Sequence, residues 1–363
     1  MTYDALQIAN EFAIDGKAIS GKICNHGHIN QTIIVTTNKG TKYVLQSINS
    51  SVFGDIPAMM ENIKGVTEHI RNAIAKQGGD VERGCLNFLQ HKDGQIYVEK
   101  SRGEFWRCYK FVDNTITYQT IENPHHFYNA GLAFGQFQCY LADYPAEKLA
   151  EIIPDFHNTA DRYIKLQTAI LYDLSGRADS VKEEIAFAES RRDDTGVLIK
   201  MLRNGELPMR VTHNDTKLNN VLLDAETGDP VCVIDLDTVM PGLSLYDFGD
   251  SIRFGANPAA EDEKDLSKVY CDLELFEQFT KGYLERCGHM LTENEIKMLP
   301  FAAKLITLEC GMRFLTDYLN GDTYFRIHYD GQNLDRCRTQ FKLVADMEEK
   351  MCQMKKIVEK YSK

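Results

Sequence analysis

One stretch constrains the fold more than any other part of this 363-residue chain. It begins with Val211-Thr-His-Asn-Asp-Thr-Lys-Leu-Asn-Asn-Val-Leu-Leu223, and after the turn Ala225-Glu-Thr-Gly-Asp-Pro230 it continues as Val231-Cys-Val-Ile-Asp-Leu-Asp237. Two apolar runs separated by turn residues predict a β-hairpin. The polar loop that precedes the hairpin and the acidic residues that follow it would then lie side by side.

Four side chains in this stretch have the types and the spacing that phosphoryl transfer requires. Asp215 and Asn220 form an H-x-D-x-x-x-x-N pattern with Lys217 between them, and Asp235 follows Asp215 by twenty positions. Such chemistry uses a carboxylate that orients and deprotonates the acceptor hydroxyl, hard oxygen ligands for Mg²⁺, and a cation on the transferring group. We predict that Asp215 is the base, Lys217 the cation, and Asn220 and Asp235 the Mg²⁺ ligands. A polar turn between core strands would explain any one of them, but not all four.

Length and charge narrow the class of protein further. A chain of 363 residues is too long for one ordinary core, so we expect two packed lobes. The net charge of −12 argues against nucleic acid as a partner, because phosphate backbones require basic patches. No apolar run approaches the roughly 20 residues that span a bilayer. Ten scattered cysteines without a C-x-x-C motif, in a chain without a signal peptide, predict reduced thiols and a cytoplasmic location.

The first part of the chain is rich in predicted strands, and we assign residues 1–112 to a nucleotide-binding lobe. Strands are expected at 18–24, 31–37, 41–47, 86–90, 95–100 and 105–111, after a short helix at 3–12. The run Ile56 to Lys76 has apolar residues on one helical stripe and predicts a long helix. Either Glu61 or Glu68 would be the kinase helix glutamate that pairs with a lysine on the third strand. That strand offers Gln46 instead, which puts the ion pair in doubt.

Several residues of this lobe are predicted to surround a nucleotide. Gly27 lies in the first turn, which in a kinase small lobe closes over the phosphates, and Gln46 would face the same pocket. The backbone groups of Phe111 and Val112, at the connection between the lobes, are expected to hydrogen-bond the adenine. His28 follows the flexible Gly27 and is predicted to contact the substrate.

From residue 123 onward the pattern changes to long helices, which we assign to a second lobe at residues 113–363. The predicted helices are 124–142, 146–174, 180–203, 264–286, 293–319 and 335–360. A β-rich front and a helical back, with the catalytic segment between two groups of helices, predict a bilobal α+β fold.

Four residues outside the catalytic loop have open roles. Asp247, in a literal Asp-Phe-Gly, is predicted to cap the following helix and brace the catalytic loop rather than bind metal. Asp237 is either near a second metal or a solvated acid. Arg313, in a helix expected to be buried, is either in a structural ion pair or a clamp for the acceptor. Tyr324 suits stacking on a sugar ring, or the lobe surface.

The catalytic segment resembles the aminoglycoside phosphotransferase superfamily, whose members share the protein-kinase-like fold. Within that superfamily the chain resembles the N-acetylhexosamine 1-kinases. The strings that carry this resemblance are Arg210-Val-Thr-His-Asn-Asp-Thr-Lys-Leu-Asn-Asn220, Ile234-Asp-Leu-Asp-Thr-Val-Met-Pro-Gly242, Asp247-Phe-Gly-Asp-Ser-Ile-Arg-Phe-Gly255, Glu309-Cys-Gly-Met-Arg-Phe314 and Gly27-His-Ile-Asn30. They are far more specific than the bare H-x-D-x-x-x-x-N pattern.

This resemblance implies an enzyme that uses ATP and Mg²⁺ to phosphorylate the anomeric hydroxyl of N-acetylglucosamine or N-acetylgalactosamine. It makes Asp215 the base and Asn220 and Asp235 the metal ligands. It also implies that a further set of residues contacts the sugar beside Asp215, namely His28, Phe254, Arg313 and Tyr324. The same resemblance implies that glutamine in place of the third-strand lysine is compatible with activity.

Two other readings of the sequence remain open. One is a kinase of the same superfamily with another acceptor, such as an aminoglycoside, choline or homoserine. An aminoglycoside would need several acids around Asp215, and Glu309, Asp317 and Asp322 keep that option. A catalytically inactive nucleotide- or sugar-binding module would be the alternative from a different class.

Overall fold

The computed structural model describes residues 4–24, 30–100, 103–121 and 123–362. A small antiparallel sheet with one long helix forms the N-terminal part, and a larger, mainly helical part follows. This confirms the predicted bilobal α+β architecture. The boundary between the lobes at residue 112 stays a prediction.

The N-terminal sheet has five strands in the spatial order β1-β2-β3-β5-β4, with all neighbours antiparallel. Its strands are β1 (Ala18–Cys24), β2 (Gln31–Thr37), β3 (Lys42–Ile48), β4 (Tyr97–Lys100) and β5 (Glu104–Lys110). Alternate residues of β2, such as Ile33 and Val35, are buried under the short helix α1 (Ala5–Ala9). The strand predicted at 86–90 is wrong: this segment forms only an isolated bridge between Phe88 and Tyr109.

The long helix α2 (Ile56–Lys76) has the predicted bounds, because Asp55 caps its first turn and Pro57 suits its start. Its predicted apolar stripe is buried against the sheet and the helical part. Glu61 and Glu68 both lie on the exposed face of this helix. The expectation that one of them is the ion-pairing helix glutamate is therefore wrong, since neither faces the sheet.

The helical part contains nine α-helices within the described residues. They are α4 (Pro124–Tyr140), α5 (Thr159–Tyr172), α6 (Lys182–Glu189), α7 (Arg192–Thr195), α8 (Val197–Arg203), α9 (Ser244–Gly255), α10 (Leu273–Cys287), α11 (Glu293–Leu319) and α12 (Gln332–Tyr361), whereas the one-turn helix α3 (Val81–Gly84) belongs to the N-terminal part. The predicted helix at 293–319 is confirmed. The helix predicted from 264 begins only at Leu273, where Asp272 caps it.

Two predicted helices are broken in the structure. The run 146–174 has one 3₁₀ turn at Ala146–Lys148, and its α-helix begins only at Thr159, after Pro154 and the cap residue Asn158. The run 180–203 forms three short helices instead of one. Apolar spacing predicted helix in both runs, but local caps and turns divide it into shorter pieces.

The catalytic segment forms the predicted hairpin between the two parts. A two-residue strand, β6 (Thr115–Ile116), precedes the segment in the chain, and the segment itself contains β7 (Arg210–Thr212), β8 (Val221–Asp224), β9 (Pro230–Val233) and β10 (Met240–Gly242). In the hairpin β8 pairs with β9, while β6 pairs with the other edge of β8 and β7 pairs with β10. Helix α9 follows directly and packs on α11, where Gly249 allows the close approach: a Cβ there would lie 2.7 Å from the Ala302 carbonyl oxygen. Helix α9 is thus held beside the loop between β7 and β8.

Candidate active site

A cavity of about 380 Å³ lies between the N-terminal sheet and the catalytic segment. It brings together seven of the predicted site residues. Gln46, Phe111 and Val112 line it from the N-terminal part, and Asp215, Lys217, Asn220 and Asp235 line it from the catalytic segment. Gly27 and His28 lie outside the described residues.

Asp215 is held by its two neighbours in the motif. Lys217 Nζ lies 2.8 Å from Asp215 Oδ1, and Asn220 Nδ2 donates to the Asp215 carbonyl at 2.8 Å and to its carboxylate at 3.1 Å. Burial opposes the charge of Lys217, yet the Asp215 carboxylate raises the pKa of Lys217 above its usual value. The carboxylate is therefore fixed in orientation and paired with a permanent cation.

The backbone around Asp215 is fixed by a buried histidine. His213 Nε2 donates to the Ile234 carbonyl at 2.9 Å, and its Nδ1 accepts from the Asp215 N–H at 3.3 Å. These two bonds define the neutral tautomer that carries its proton on Nε2. Asn214, between them, has φ +66°, a left-handed conformation that a residue other than glycine seldom adopts. The histidine of the motif thus ties the catalytic loop to the strand that leads to Asp235.

Asp247 braces this loop from helix α9, as predicted. Its two carboxylate oxygens accept from the backbone N–H groups of His213 at 3.0 Å and Asn214 at 2.8 Å, and Gln138 Nε2 also donates to it at 2.9 Å. The capping part of the prediction is wrong, because Asp247 lies inside the first turn of α9 and makes no cap. Both carboxylate oxygens are occupied, which leaves this acid without a metal-binding face.

Asp235 has the environment of a metal ligand. Asp235 has a φ of +62°, a left-handed conformation that ends the extended direction of the preceding strand. Its side chain is exposed to the cavity between the N-terminal sheet and the catalytic segment. Burial, followed by the nearby carboxylates of Asp237 and Asp215, raises its pKa to about 6. Within the described ranges, no side chain or backbone donor hydrogen-bonds its carboxylate. A carboxylate that faces such a cavity without donors is stabilised by a cation.

Asn220 offers the second oxygen of this site. Its Nδ2 is occupied by Asp215, and its Oδ1 accepts no hydrogen bond from the described part of the chain. Mg²⁺ in phosphate-transfer sites is held by one or two protein oxygens together with substrate phosphates and waters. Asn220 and Asp235 fit that pattern, whereas no group of three or more His, Cys, Asp or Glu side chains suited to a metal occurs among the described residues.

Asp237 fits neither of the roles that the sequence left open. It is 3% exposed, so it is not a solvated acid. One of its oxygens is paired with Arg107, and the other accepts from Asn30 Nδ2 at 2.6 Å. Arg107 was missed in the sequence, because an arginine on an inward-facing strand position has no spacing signature.

Fewer backbone groups of the described residues are available to hydrogen-bond the adenine than the sequence predicts. The Phe111 N–H already donates to the Lys42 carbonyl at 3.1 Å. Among the described residues, the Phe111 carbonyl and the Val112 N–H have no hydrogen-bond partner. Because these two groups belong to one trans peptide unit and point in opposite directions, only one of them can face an adenine edge.

The remaining predicted sugar-site residues lie outside the cavity wall. Arg313 in α11 has its guanidinium 5.2 Å from the centre of the Phe156 ring and 5.4 Å from that of Phe325, and it forms no ion pair within the described residues. The structural ion pair considered for it is therefore not found. Tyr324 is 67% exposed, and Phe254 in α9 is half-buried.

The acids near Arg313 all have partners within the protein. Glu309 accepts from His157 at 2.8 Å and Thr159 at 2.7 Å. Asp317 accepts from the backbone N–H groups of residues 323–325, and Asp322 pairs with Arg177 at 2.6 Å. These are the carboxylates that a polycationic acceptor would need, and each is already neutralised or saturated with donors.

A two-part fold of this kind, with an H-x-D-x-x-x-x-N loop against a hairpin and an acid beyond it, is the protein-kinase-like fold. The chain belongs to the phosphotransferase enzyme family, whose model matches residues 20–279. Within the described residues, no helix combines the length and the apolar character that crossing a membrane requires.

Solved structures support the same fold at low sequence identity. A microcompartment-associated aminopropanol kinase is similar with a TM-score of 0.62 and 16% identity, covering 96% of this chain and 97% of that one. An aminoglycoside phosphotransferase from Alicyclobacillus acidocaldarius has a TM-score of 0.61 and 12% identity, covering 99% and 98%. An amicoumacin kinase in complex with AMP-PNP, Ca²⁺ and its substrate has a TM-score of 0.58 and 15% identity, covering 91% and 88%.

Proposed function

We propose that this phosphotransferase moves the γ-phosphoryl group of ATP to the anomeric hydroxyl of N-acetylglucosamine or N-acetylgalactosamine. The observation that carries the proposal is the pairing of every carboxylate beside Arg313. With Glu309, Asp317 and Asp322 occupied, that region presents the guanidinium groups of Arg313 and Arg162 and aromatic rings rather than free acids. Such a surface suits a neutral amido sugar, whose hydroxyl and carbonyl oxygens accept from arginine, better than an amine.

The sequence supports the same acceptor. The strings around Asp215, Asp235, Phe254 and Arg313 resemble those of N-acetylhexosamine 1-kinases over nearly the whole chain. On this proposal Phe254, Arg313 and Tyr324, together with His28, contact the sugar beside Asp215. Asp250 connects the two regions, because it accepts from the Thr216 N–H next to Asp215 and pairs with Arg253 next to Phe254.

ATP would bind with its adenine on Phe111 and Val112 and its phosphates toward Asp235. The amicoumacin kinase, which has a similar fold, binds AMP-PNP and Ca²⁺. In this chain Mg²⁺, held by Asn220 and Asp235, would neutralise charge on the β- and γ-phosphates. We accordingly assign residues 1–112 to nucleotide binding and residues 113–363 to catalysis and acceptor binding.

The reaction would be a direct in-line transfer. The sugar O1 forms a bond to the γ-phosphorus as the bond from that phosphorus to the β-phosphate oxygen breaks, and the O1 proton passes to Asp215. Because the transition state is loose, positioning matters more than basicity, and the proton moves late. The contacts of Asp215 with Asn220 and Lys217 hold its carboxylate in one orientation. Lys217 also places a positive charge beside the transferring group.

A second acceptor class is suggested by the similar structures, since one of them is an aminopropanol kinase. An amino alcohol or aminoglycoside acceptor would keep the proposed roles of Asp215, Asn220 and Asp235. It would require a free carboxylate for the amine, and among the described residues the acids nearest Arg313 are paired. An inactive binding module would leave Asp215, Asn220 and Asp235 without a function.

The test is ATP consumption with Mg²⁺ against a panel of acceptors, with products identified by phosphorus NMR. The panel contains N-acetylglucosamine, N-acetylgalactosamine, glucose, choline, homoserine and kanamycin. We expect phosphate on C1 of the amido sugars. Turnover only with an amine-bearing acceptor would overturn the sugar assignment, and no turnover with any acceptor would favour the binding module.

A further inference from the structure

The cavity contains a buried cation that the phosphotransfer motif does not account for. Arg107 in β5 lines the cavity and is only 2% exposed. It lies directly opposite Gln46 of β3 in the register of the antiparallel pair. Gln46 occupies the third-strand position at which a lysine was expected. The sheet therefore contains a positive charge on β5, the neighbour of β3, where the kinase pattern has its lysine.

The guanidinium group of Arg107 is fixed by two polar partners. Its Nε donates to Gln46 Oε1 at 2.9 Å, and Gln46 in turn donates to Thr32 Oγ1 at 3.0 Å. Its Nη1 donates to the Asp237 carboxylate. Since Asp237 is itself held by Asn30 at 2.6 Å, the arginine has one defined position.

Asp237 takes the place of the missing helix glutamate. From α2 the guanidinium contacts Met60, whose Sδ lies 4.0 Å from Arg107 Nη1. A buried arginine without a counter-ion would be strongly destabilising, and Asp237 provides that counter-ion from the catalytic segment. The ion pair of an ordinary kinase is thus rebuilt from a different strand and a different acid.

One side of the guanidinium is left for a ligand. Arginine has five N–H donors in a planar fork. The Nε and Nη1 groups are used by Gln46 and Asp237, while Nη2 donates no hydrogen bond within the ranges that the structure describes. Because Arg107 lines the cavity that Asp235 also lines, these donors are placed for an anionic group at the metal end.

We propose that Arg107 binds the phosphates of the nucleotide in place of the third-strand lysine, with Gln46 and Asp237 as its positioning residues. This rests on the proposed function only in taking a nucleoside triphosphate as the phosphoryl donor. It does not depend on the identity of the acceptor. Gln46 then acts through Arg107 rather than as a direct phosphate ligand.

The test compares nucleotides that differ only in their phosphates. Calorimetry without acceptor gives the Kd of a non-hydrolysable ATP analogue, of ADP and of AMP for the wild type and for R107Q. We expect the Kd of the ATP analogue and ADP to rise at least about tenfold, and that of AMP to change little. K39Q is the matched control, because Lys39 is an exposed lysine of the same sheet paired with Asp15. It should leave all three Kd values unchanged.

An equal weakening of all three nucleotides, or no weakening, would overturn the proposal, because a purely structural arginine cannot distinguish ATP from AMP. If R107Q does not fold, R107Q/D237N removes both buried charges and allows the same comparison. Binding is measured without a sugar, so a failure of the sugar proposal would not be mistaken for a failure of this one.

A relocation variant sharpens the test. In Q46K/R107Q the cation moves to the third strand, across from its former position in the register and within reach of Asp237. We expect it to recover most of the affinity for the ATP analogue that R107Q loses. A folded Q46K/R107Q with the affinity of R107Q would show that a cation beside Asp237 does not strengthen phosphate binding, and would contradict the proposal.

Discussion

The two sides of the candidate site are built in opposite ways. On the catalytic side, Asp215, Asp247 and Asp237 are each held by at least two polar partners. On the acceptor side, Arg313 lies against the Phe156 and Phe325 rings and forms no ion pair among the described residues, and Tyr324 is largely exposed. Groups proposed to take part in phosphoryl transfer are fixed in advance, whereas groups proposed to select the acceptor are left free to bind.

This difference teaches where substitutions should affect turnover and where they should affect recognition. A fixed group contributes through orientation, so its loss lowers kcat. An unpaired group contributes through contact with the substrate, so its loss raises KM. The following predictions depend on this contrast, and a failed prediction would contradict it.

The largest effect is expected at the base. Asp215→Asn should lower kcat roughly a thousandfold, because the amide cannot accept the O1 proton. Affinity for ATP measured by calorimetry should stay within about twofold of the wild type, since the base contacts the acceptor. Asp229→Asn, at an exposed position in the hairpin turn, is the control and should be neutral. Near-normal turnover of Asp215→Asn would remove Asp215 from its role.

The next effect concerns the brace from helix α9. Asp247→Ala would leave the buried N–H groups of His213 and Asn214 without acceptors, which costs about 3 kcal/mol of unfolding free energy. It should also lower kcat on the order of a hundredfold, because the catalytic loop loses its orientation. Urea unfolding and steady-state kinetics measure both. Asp247→Asn keeps one acceptor oxygen and should fall between; a stable Asp247→Ala with full activity would contradict the brace.

On the acceptor side the expected effect is smaller and of a different kind. Arg313→Ala should raise the KM for the amido sugar roughly ten- to a hundredfold with little change in the KM for ATP. Thermal stability should be nearly unchanged, since the side chain has no ion pair among the described residues. A large drop in Tm with an unaltered sugar KM would make Arg313 structural and erase the contrast between the two sides.

The smallest effect concerns Asp235, the proposed metal ligand, in the absence of metal. The pKa of Asp235 is raised to about 6 in the folded chain, so its charge destabilises the fold above that pH and not below its ordinary value near 4. With a chelator present, Asp235→Asn should stabilise the protein by about 1 kcal/mol at pH 8, a modest value because the carboxylate is partly open to water. The gain should vanish toward pH 4. A variant less stable than the wild type at pH 8 would contradict this account.

Much of the fold follows from apolar spacing. The helix α2 has a periodic apolar stripe and the hairpin between β8 and β9 has turn residues, and the structure has both where the sequence predicts them. The helix α11 is buried over most of its surface, and its predicted start is fixed by a capping box at Thr292. For the run 146–174 the sequence predicts one continuous helix, because apolar spacing continues through Pro154 and Asn158. In the structure, caps and turns divide this run. Local hydrogen bonds, not periodicity, decide where such a run ends.

The candidate site was predictable where a motif fixes spacing along the chain. Asp215, Lys217, Asn220 and Asp235 are close in sequence, and they meet in one cavity. Arg107 and Asp237 are far apart in sequence, and only the antiparallel register of β3 and β5 and the path after β9 bring them together. Such long-range pairs leave no local pattern, which is why Asp237 was assigned no structural partner and Arg107 no role.

The contact of Asp237 with Arg107 and Asn30 has a mechanical consequence. It fastens the N-terminal sheet to the catalytic segment at a buried point beside the cavity. Two bodies joined at such a point separate by rotating about it rather than by translating apart. The rim of the cavity would then travel furthest while the phosphate end scarcely moves. On the proposed function, exchange of ATP and sugar would require only a change of angle between the two bodies, with Arg107 and Asp237 still paired.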